Sequence, residues 1–423
     1  MVPTTATPTD RETDRGTRRV LAAVLVAVGV SLFAARALPR FRDPALFAED
    51  GEIFLAGAYN DGVAALVEPY AGYLHLVPRL VAAATTWVPI TAVPLVYLVA
   101  TVVIHLAFLA PALSRRLEPV LPSALYRSGL FVSLCLLPAL WEVYGNIANL
   151  IFAAATALTL VVISVDPRTR PGRWIEVAAI GLIGLSGPLI VLFVPFFVWR
   201  WLRLGRSRHS LVVTTVAVAT AAVQLSVYLS SDRATPGGGT LTILVRSAVE
   251  RVGGGYLVGH RAGFVGALGS PTAVAAALWL TAAVVLTCWA VGRIAVPLWL
   301  LFVVLLASAV NAYGPIVLAS GQALQRHITT PMAIVVILLW VTIASRALTA
   351  VRVVAAGLLL AGALGAVRDF APEPYPFRPD LRPLERCVEA DAGVCRQLIF
   401  GPGWEVVLAP DGPRPVGGTP TDG

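Results

Sequence analysis

Residues 46–62 read LFAEDGEIFLAGAYNDG, and three carboxylates, Glu49, Asp50 and Glu52, fall within four positions of it. The stretch just before, Val20–Leu38, reads VLAAVLVAVGVSLFAARAL. A helix of roughly 20 apolar residues crosses a bilayer, so the acids stand where the first membrane helix ends. The rest of the chain repeats the greasy half of this pattern. It is 57% hydrophobic and 13% charged, with a mean hydropathy of +0.79. Backbone in lipid must satisfy its own hydrogen bonds, so the apolar runs are helices. They lack the polar alternation of barrel strands, which argues against a porin-like barrel.

The expectation is therefore an all-α polytopic membrane protein with about eleven transmembrane helices. Every basic residue is Arg, none is Lys, and the net charge is +8. That usage, with abundant Ala, Val and Gly, matches a high-GC bacterial genome and points to a bacterial plasma membrane. The arginines flank apolar runs, where they set topology rather than bind nucleic acid. Residues 1–19 are polar, carry Arg11, Arg15, Arg18 and Arg19, and read as a disordered cytoplasmic tail. The first run is too long for a signal-peptide core.

Residues 20–366 read as one multi-pass domain, with spans near 20–38, 89–113, 124–141, 147–165, 211–229, 272–291, 294–310, 331–345 and 350–366. The run Ile175–Trp199 has basic flanks on both sides and a Gly184, Gly187, Pro188 break. It reads as two half-helices that enter and return, a device tolerated only where it is buried or lines a cavity. This parity puts the acidic segment and the tail 367–423 outside the cell. There Cys387 and Cys395 are free to form a disulfide, whereas Cys135 and Cys288 belong to the apolar core.

The first external segment is more than a connector. A short helix is expected from Asp43 and Pro44 to the Asn60-Asp61-Gly62 turn. Glu49 and Glu52 share a face. In VEPYAGYLHLVPRL (residues 67–80), His75 and Arg79 also share a face, and Tyr70 and Tyr73 suit a membrane interface. The plain alternative for the acids is a solvated loop, but Phe47, Ile53, Phe54 and Leu55 surround them. A second polar group, Glu142, Asn146 and Asn149, lies in LWEVYGNIANLIF (residues 140–152). Its plain alternative is helix-to-helix hydrogen bonding. A third, Arg326 and His327, precedes the apolar run that starts at Pro331, where an interfacial flank is the plain alternative. The Gly-rich segment 230–271 resembles a loop over a site. Acids from one loop and cations from others would suit sugar transfer from a lipid phosphate. A carboxylate takes the acceptor proton and Arg meets the leaving phosphate.

These motifs resemble the GT-C superfamily of polytopic glycosyltransferases. FAEDGEIF (residues 47–54) is similar to that family's acidic pair, and GQALQRHITTP (residues 321–331) looks like the motif before a late helix in many members. The resemblance implies a GT-C-like fold, a polyprenyl-phosphate sugar donor and extracytoplasmic chemistry. Asp50 would be the base with Glu49 close behind, and Arg326 would touch the donor phosphate. Glu52, Tyr70, Tyr73, His75, Arg79, Glu142, Asn146, Asn149 and His327 would complete the substrate site. The acceptor would be an envelope glycan, lipid or protein. Some members use a divalent cation, Mg or Mn; oxygen ligands from residues 49–52 alone are too few to hold one. An Asp-Asp or Asp-Glu pair is commoner in the family than Glu49-Asp50, and His327 stands where many members have an aromatic residue. Other readings are a transporter or flippase of a lipid-linked saccharide, a saccharide polymerase and an envelope scaffold. A transporter predicts an internal repeat, and none is evident. No G-x-x-x-x-G-K-[ST], H-E-x-x-H or C-x-x-C pattern competes.

Overall fold

The computed structural model describes residues 8–231, 238–260, 269–319 and 324–409. It is 72% helical, which places it in the all-α class. Helix α1 (Pro8–Ala35) begins ahead of the apolar run, with a proline at the first helical position, where its missing N–H costs nothing. Of the tail read as disordered, residues 8–19 continue this helix and residues 1–7 lie outside the described residues. After a short α2 (Leu38–Arg42), a π-helical turn at Asp50–Leu55 runs into α3 (Ala56–Asp61). This helix stops at Gly62 (φ 55°), at the turn the sequence marks, but starts later than Asp43. Then come α4 (Leu76–Ala84), α5 (Val93–Leu109), α6 (Ala124–Cys135) and α7 (Leu150–Ile163).

Helices α6 and α7 are about 18 and 21 Å long at 1.5 Å per residue, shorter than the spans expected at 124–141 and 147–165. The reason lies in Pro138 and Gly145, which break the helix so that residues 136–149 form an irregular polar turn. The broken run is two helices, α8 (Arg170–Gly184) and α9 (Leu189–Arg203), separated at residues 185–188. The backbone freed at this break is re-satisfied. Leu185 C=O accepts from Leu76 N–H at 3.1 Å, and Ser186 Oγ accepts from Val77 N–H at 2.9 Å.

Next come α10 (Arg208–Leu229), α11 (Leu241–Arg246), a π-helical turn at Ser247–Gly254 and α12 (Gly255–Val258). Gln224 of α10 holds the peptide at Leu74, with its Oε1 accepting from the N–H at 2.9 Å and its Nε2 donating to the C=O at 3.3 Å. The segment 230–271 is partly helical, with 232–237 and 261–268 outside the described residues. Helix α13 (Gly269–Tyr313) changes direction at Val291 (φ −141°, ψ 35°), which leaves two arms of about 33 Å. After α14 (Ile316–Ala319) the chain forms α15 (Arg326–Ala344), α16 (Thr349–Leu360) and α17 (Ala363–Arg368).

Six helical segments among the described residues are long and apolar enough to cross a membrane: Gly16–Ala35, Ile90–Leu113, Arg208–Leu229, Gly269–Tyr313, Arg326–Ala344 and Thr349–Arg368. Val20, Val24 and Val28 of α1 point outward with large exposed surfaces, four residues apart on one face. Such a face suits lipid and not water. At the centre, α15 is buried on all sides, with Ile328 and Met332–Leu339 at 1% exposure or less. It packs against α7, α6, α13 and α16.

The tail departs from an all-helical reading. It forms α18 (Arg382–Glu389) and an antiparallel hairpin of β1 (Cys395–Leu398) and β2 (Glu405–Leu408), with Cys395 opposite Leu408. A Cys387–Cys395 disulfide joins helix and hairpin. Residues 410–423 lie outside the described residues.

The two ends of the bundle differ in chemistry. At one end Glu176 is 2% exposed and meets Arg116 at 2.5 Å, Arg200 at 3.0 Å and His209 at 2.7 Å. Asp166 joins Arg200 at 3.0 Å. These groups tie the C-terminal ends of α7 and α9 to the starts of α8 and α10. The other end holds the acidic segment, the N-termini of α7 and α15, and the tail.

Candidate functional site

The acidic turn sends the three carboxylate side chains of residues 49–52 in different directions, because successive residues of such a helix point roughly 80–100° apart. Asp50 is 1% exposed. Its Oδ1 accepts from the backbone N–H of Ile147 at 3.1 Å and of Ala148 at 3.0 Å, just ahead of α7. Gly51 is the seat of the hairpin, where an added Cβ would lie 2.6 Å from Ile399 Cδ1 and 2.7 Å from Val406 Cγ2. Glu52 Oε2 accepts from the backbone N–H of Glu405 at 2.9 Å, so it also anchors the tail. Glu49 is different. Its Oε2 is buried and, among the described residues, has no hydrogen-bond partner.

Burial pushes the Glu49 carboxyl above the ordinary range, the Arg326 charge pulls it back, and the Glu142 and Glu52 charges push it further up. Burial also pushes Asp50 well up, against the pull of its amide partner at Ala148.

Arg326 opens α15, and its Nη1 donates to Glu142 Oε1 at 2.8 Å while its backbone N–H donates to Oε2 at 3.1 Å. Arg326 and Glu142 side chains are 18% and 7% exposed, so the pair is largely sheltered from water. The guanidinium lies 5.8 Å over the Phe152 ring and 3.4 Å from the Tyr313 hydroxyl. His327 packs between Phe152 and Tyr313, at ring distances of 4.8 and 4.9 Å. The two asparagines build the turn that presents Glu142. Asn146 and Asn149 donate from Nδ2 to the Glu142 carbonyl at 2.6 and 3.0 Å, and Asn146 Oδ1 accepts from Asn149 N–H at 3.0 Å.

Tyr70 and Tyr73 close a tight turn by mutual backbone bonds of 3.0 and 3.1 Å, with Ala71 and Gly72 at φ 51° and 82°. Both central residues in the left-handed region give the twist of a mirror-image turn. The turn sets both rings against His75, at 5.7 Å from Tyr70 and 4.4 Å from Tyr73, with Phe54 at 5.4 Å. Burial, aided by the Arg79 charge, pushes His75 down to about 3, so its imidazole is neutral at physiological pH. Burial raises the Tyr70 hydroxyl, and the charge of Glu49 raises it further while that of Arg326 lowers it. Tyr70 thus lies within electrostatic reach of both.

The structure joins Glu142, Arg326 and His327 by direct contacts, with Glu49 and Tyr70 within electrostatic reach of Arg326. It sends Asp50 and Glu52 into anchoring bonds and sets Arg79 over the Phe54 ring at 5.7 Å. The three acids of residues 49–52 share no common centre and do not fit a divalent cation. Among the described residues no group of three or more His, Cys, Asp or Glu forms a ligand cluster. Sequence reasoning missed Phe152 and Tyr313. An aromatic residue ending an apolar run before Gly314-Pro315 was the available signal for Tyr313. It also missed Arg40, which donates to Tyr375 Oη at 2.8 Å and to the Trp141 carbonyl at 2.7 Å, and so ties the tail to the Glu142 turn. Comparison with known proteins identifies no relative: no family model matches the chain, and no curated protein or solved structure is detectably similar to it.

Proposed function

We propose that this chain is a polytopic membrane glycosyltransferase of the GT-C kind, which moves a sugar from a polyprenyl-phosphate donor to an envelope glycan, lipid or protein. The observation that carries this reading is Glu49: a buried carboxylate oxygen without a partner, within electrostatic reach of Arg326. A structural acid would be satisfied, as Asp50 and Glu52 are. An unsatisfied one with a raised pKa is suited to take a proton.

In the proposed reaction the acceptor hydroxyl oxygen bonds to the anomeric carbon as the bond from that carbon to the phosphate oxygen breaks. The acceptor proton passes to Glu49, and the electron pair leaves on the phosphate. Arg326 meets the phosphate charge with a planar set of donors. Glu142 holds Arg326 in place, and Asn146 and Asn149 hold Glu142. Asp50 is assigned an anchoring role rather than that of base. Tyr70, Tyr73, His75 and His327 form aromatic walls. The arginine-rich end of the bundle is assigned to the cytoplasm by the positive-inside rule. The N-terminus would then be cytoplasmic, with the site and the tail extracytoplasmic, at a bacterial plasma membrane. Lipid at the flank of the bundle gives a polyprenyl chain access to the site.

The test uses membranes with wild type or Glu49→Gln at matched expression, a panel of radiolabelled polyprenyl-phosphate sugars and envelope acceptors. Transfer of one sugar by wild type, lost in Glu49→Gln with donor still bound, is the expected result. Donor lipid that crosses the bilayer with no sugar transferred would overturn it in favour of a flippase.

A further inference from the structure

Arg36, Arg40 and Arg79 are among the buried arginines at the site end of the bundle, and the first two spend most of their donors on protein acceptors, only Nε of Arg36 being left over among the described residues. Arg36 donates to the carbonyls of Cys135, Leu137 and Asp369 at 2.7, 2.9 and 3.1 Å. Arg40 donates to Trp141, Tyr144, Glu373 and Tyr375. The third, Arg79, is as well buried, with its side chain 3% exposed. Yet among the described residues its Nε and Nη1 have no hydrogen-bond partner. Its ion pair among the described residues, to Glu68, is 3.8 Å long, beyond hydrogen-bonding distance. A guanidinium carries five N–H donors and no acceptor. Burying it without partners costs far more than burying it among carbonyls. The missing partner has a definite chemistry: an oxyanion, which a guanidinium fork binds with two parallel bonds.

The surroundings fit this. The guanidinium lies over the Phe54 ring at 5.7 Å. It also lies beside Gly57, where an added Cβ would come within 3.0 Å of Nη1, so only the absent side chain leaves that flank open. The Phe54 ring meets both Arg79 and His75, and the His75 ring meets Tyr70 and Tyr73, so ring contacts link Arg79 to the Tyr70 turn. With Arg326 assigned to the departing phosphate, an anion at Arg79 is assigned to the acceptor.

We propose that Arg79 binds a phosphate or carboxylate group carried by the acceptor, so that the enzyme selects anionic acceptors. This rests on the transferase reading above.

Two measurements on the purified full chain in nanodiscs separate the two ideas. The first needs no turnover: inorganic phosphate is titrated and thermal unfolding followed. Phosphate should stabilise wild type and Arg326→Gln but lose this effect in Arg79→Gln, with partial recovery in Arg79→Lys. The second compares the acceptor found by the panel with the same acceptor after its anionic group is removed or amidated. The ratio of kcat/KM, anionic over neutral, should fall about 10- to 100-fold in Arg79→Gln, with partial return in Arg79→Lys. Equal losses on both acceptors, or no loss, would overturn the proposal. If anionic phospholipid in the disc, and not the acceptor's charge, governs the difference between wild type and Arg79→Gln, the anion is a lipid headgroup and the acceptor assignment fails. If phosphate stabilises through Arg79 but no donor is ever used, the anion site stands and the transferase reading fails.

Discussion

Replacing Asp50 by alanine should unfold more than it inactivates, and replacing Glu49 by glutamine should do the reverse. Asp50→Ala strips the acceptor from two buried amides, those of Ile147 and Ala148. Each orphaned N–H costs about 1–3 kcal/mol, or about 2–6 kcal/mol together. That is a large share of the ~5–15 kcal/mol that holds a typical domain. Glu49→Gln takes no partner from Oε2, which has none among the described residues, and it removes a charge that burial disfavours. Its stability should stay within about 1 kcal/mol of wild type or rise, while transfer falls ~100- to 10,000-fold with the general base gone. Unfolding can be read with a thiol-reactive dye in a Cys288→Ser background, since Cys135 is buried, Cys387 and Cys395 are joined, and the half-buried Cys288 is the other free thiol. Transfer is counted on the same preparations. If Asp50→Ala melts like wild type but is inactive, and Glu49→Gln stays active, the division of labour between the two acids is refuted.

Other expectations follow from the same geometry. Arg326 holds the Glu49 pKa down and Glu142 pushes it up, so the acid limb of the kcat/KM profile should move to higher pH in Arg326→Gln and to lower pH in Glu142→Gln; movement of both in one direction refutes the coupling. Gly51→Val should prise the hairpin off its seat, at a cost of about 1–3 kcal/mol, seen as faster proteolysis of the tail with α15 intact. Glu176→Gln leaves the buried Arg200 and the half-buried Arg116 without their shared anion and should cost about 3–5 kcal/mol in thermal unfolding with no selective effect on sugar binding. A membrane-impermeant maleimide added to intact cells should label Cys387 and Cys395 only after reduction; no labelling even then places the tail inside and removes the topology argument.

Local patterns were legible in the sequence, and meetings between distant residues were not. Hydropathy marked the membrane class because burial in lipid acts on each run separately. The break at Gly184–Pro188 was legible because proline and glycine act on their own backbone. The end of the first-loop helix at Gly62 was legible for the same reason. The pairing of Arg326 with Glu142 spans 184 positions, and no spacing rule reaches that far. Short apolar tracts also misled: residues 136–140 are greasy enough to extend a span, yet Pro138 and the asparagine-built turn end it. The hairpin escaped notice because its strands, CRQL and EVVL, are four residues each, too short for a clear alternation.

The same contrast explains why the acids crowd together. A helical turn is the shortest element that can aim adjacent side chains at different targets. Asp50 is spent on the amides ahead of α7, Gly51 on the close approach of the hairpin, and Glu52 on the first amide of β2. These three contacts clamp the turn from different sides, and among the described residues Oε2 of Glu49 is left without a hydrogen-bond partner. Holding a carboxylate there has a thermodynamic cost with a known sign. A carboxyl whose folded pKa is raised contributes stability that is present below its unfolded pKa and is lost as pH rises through the folded value. The ionised form that can accept a proton therefore becomes populated over the same pH window in which Glu49 ceases to stabilise the fold. The neighbouring anchors supply the rigidity that lets the turn tolerate it. An acid turn serving structure alone would have satisfied all three carboxylates; this one satisfies two and keeps the third in reach of Arg326.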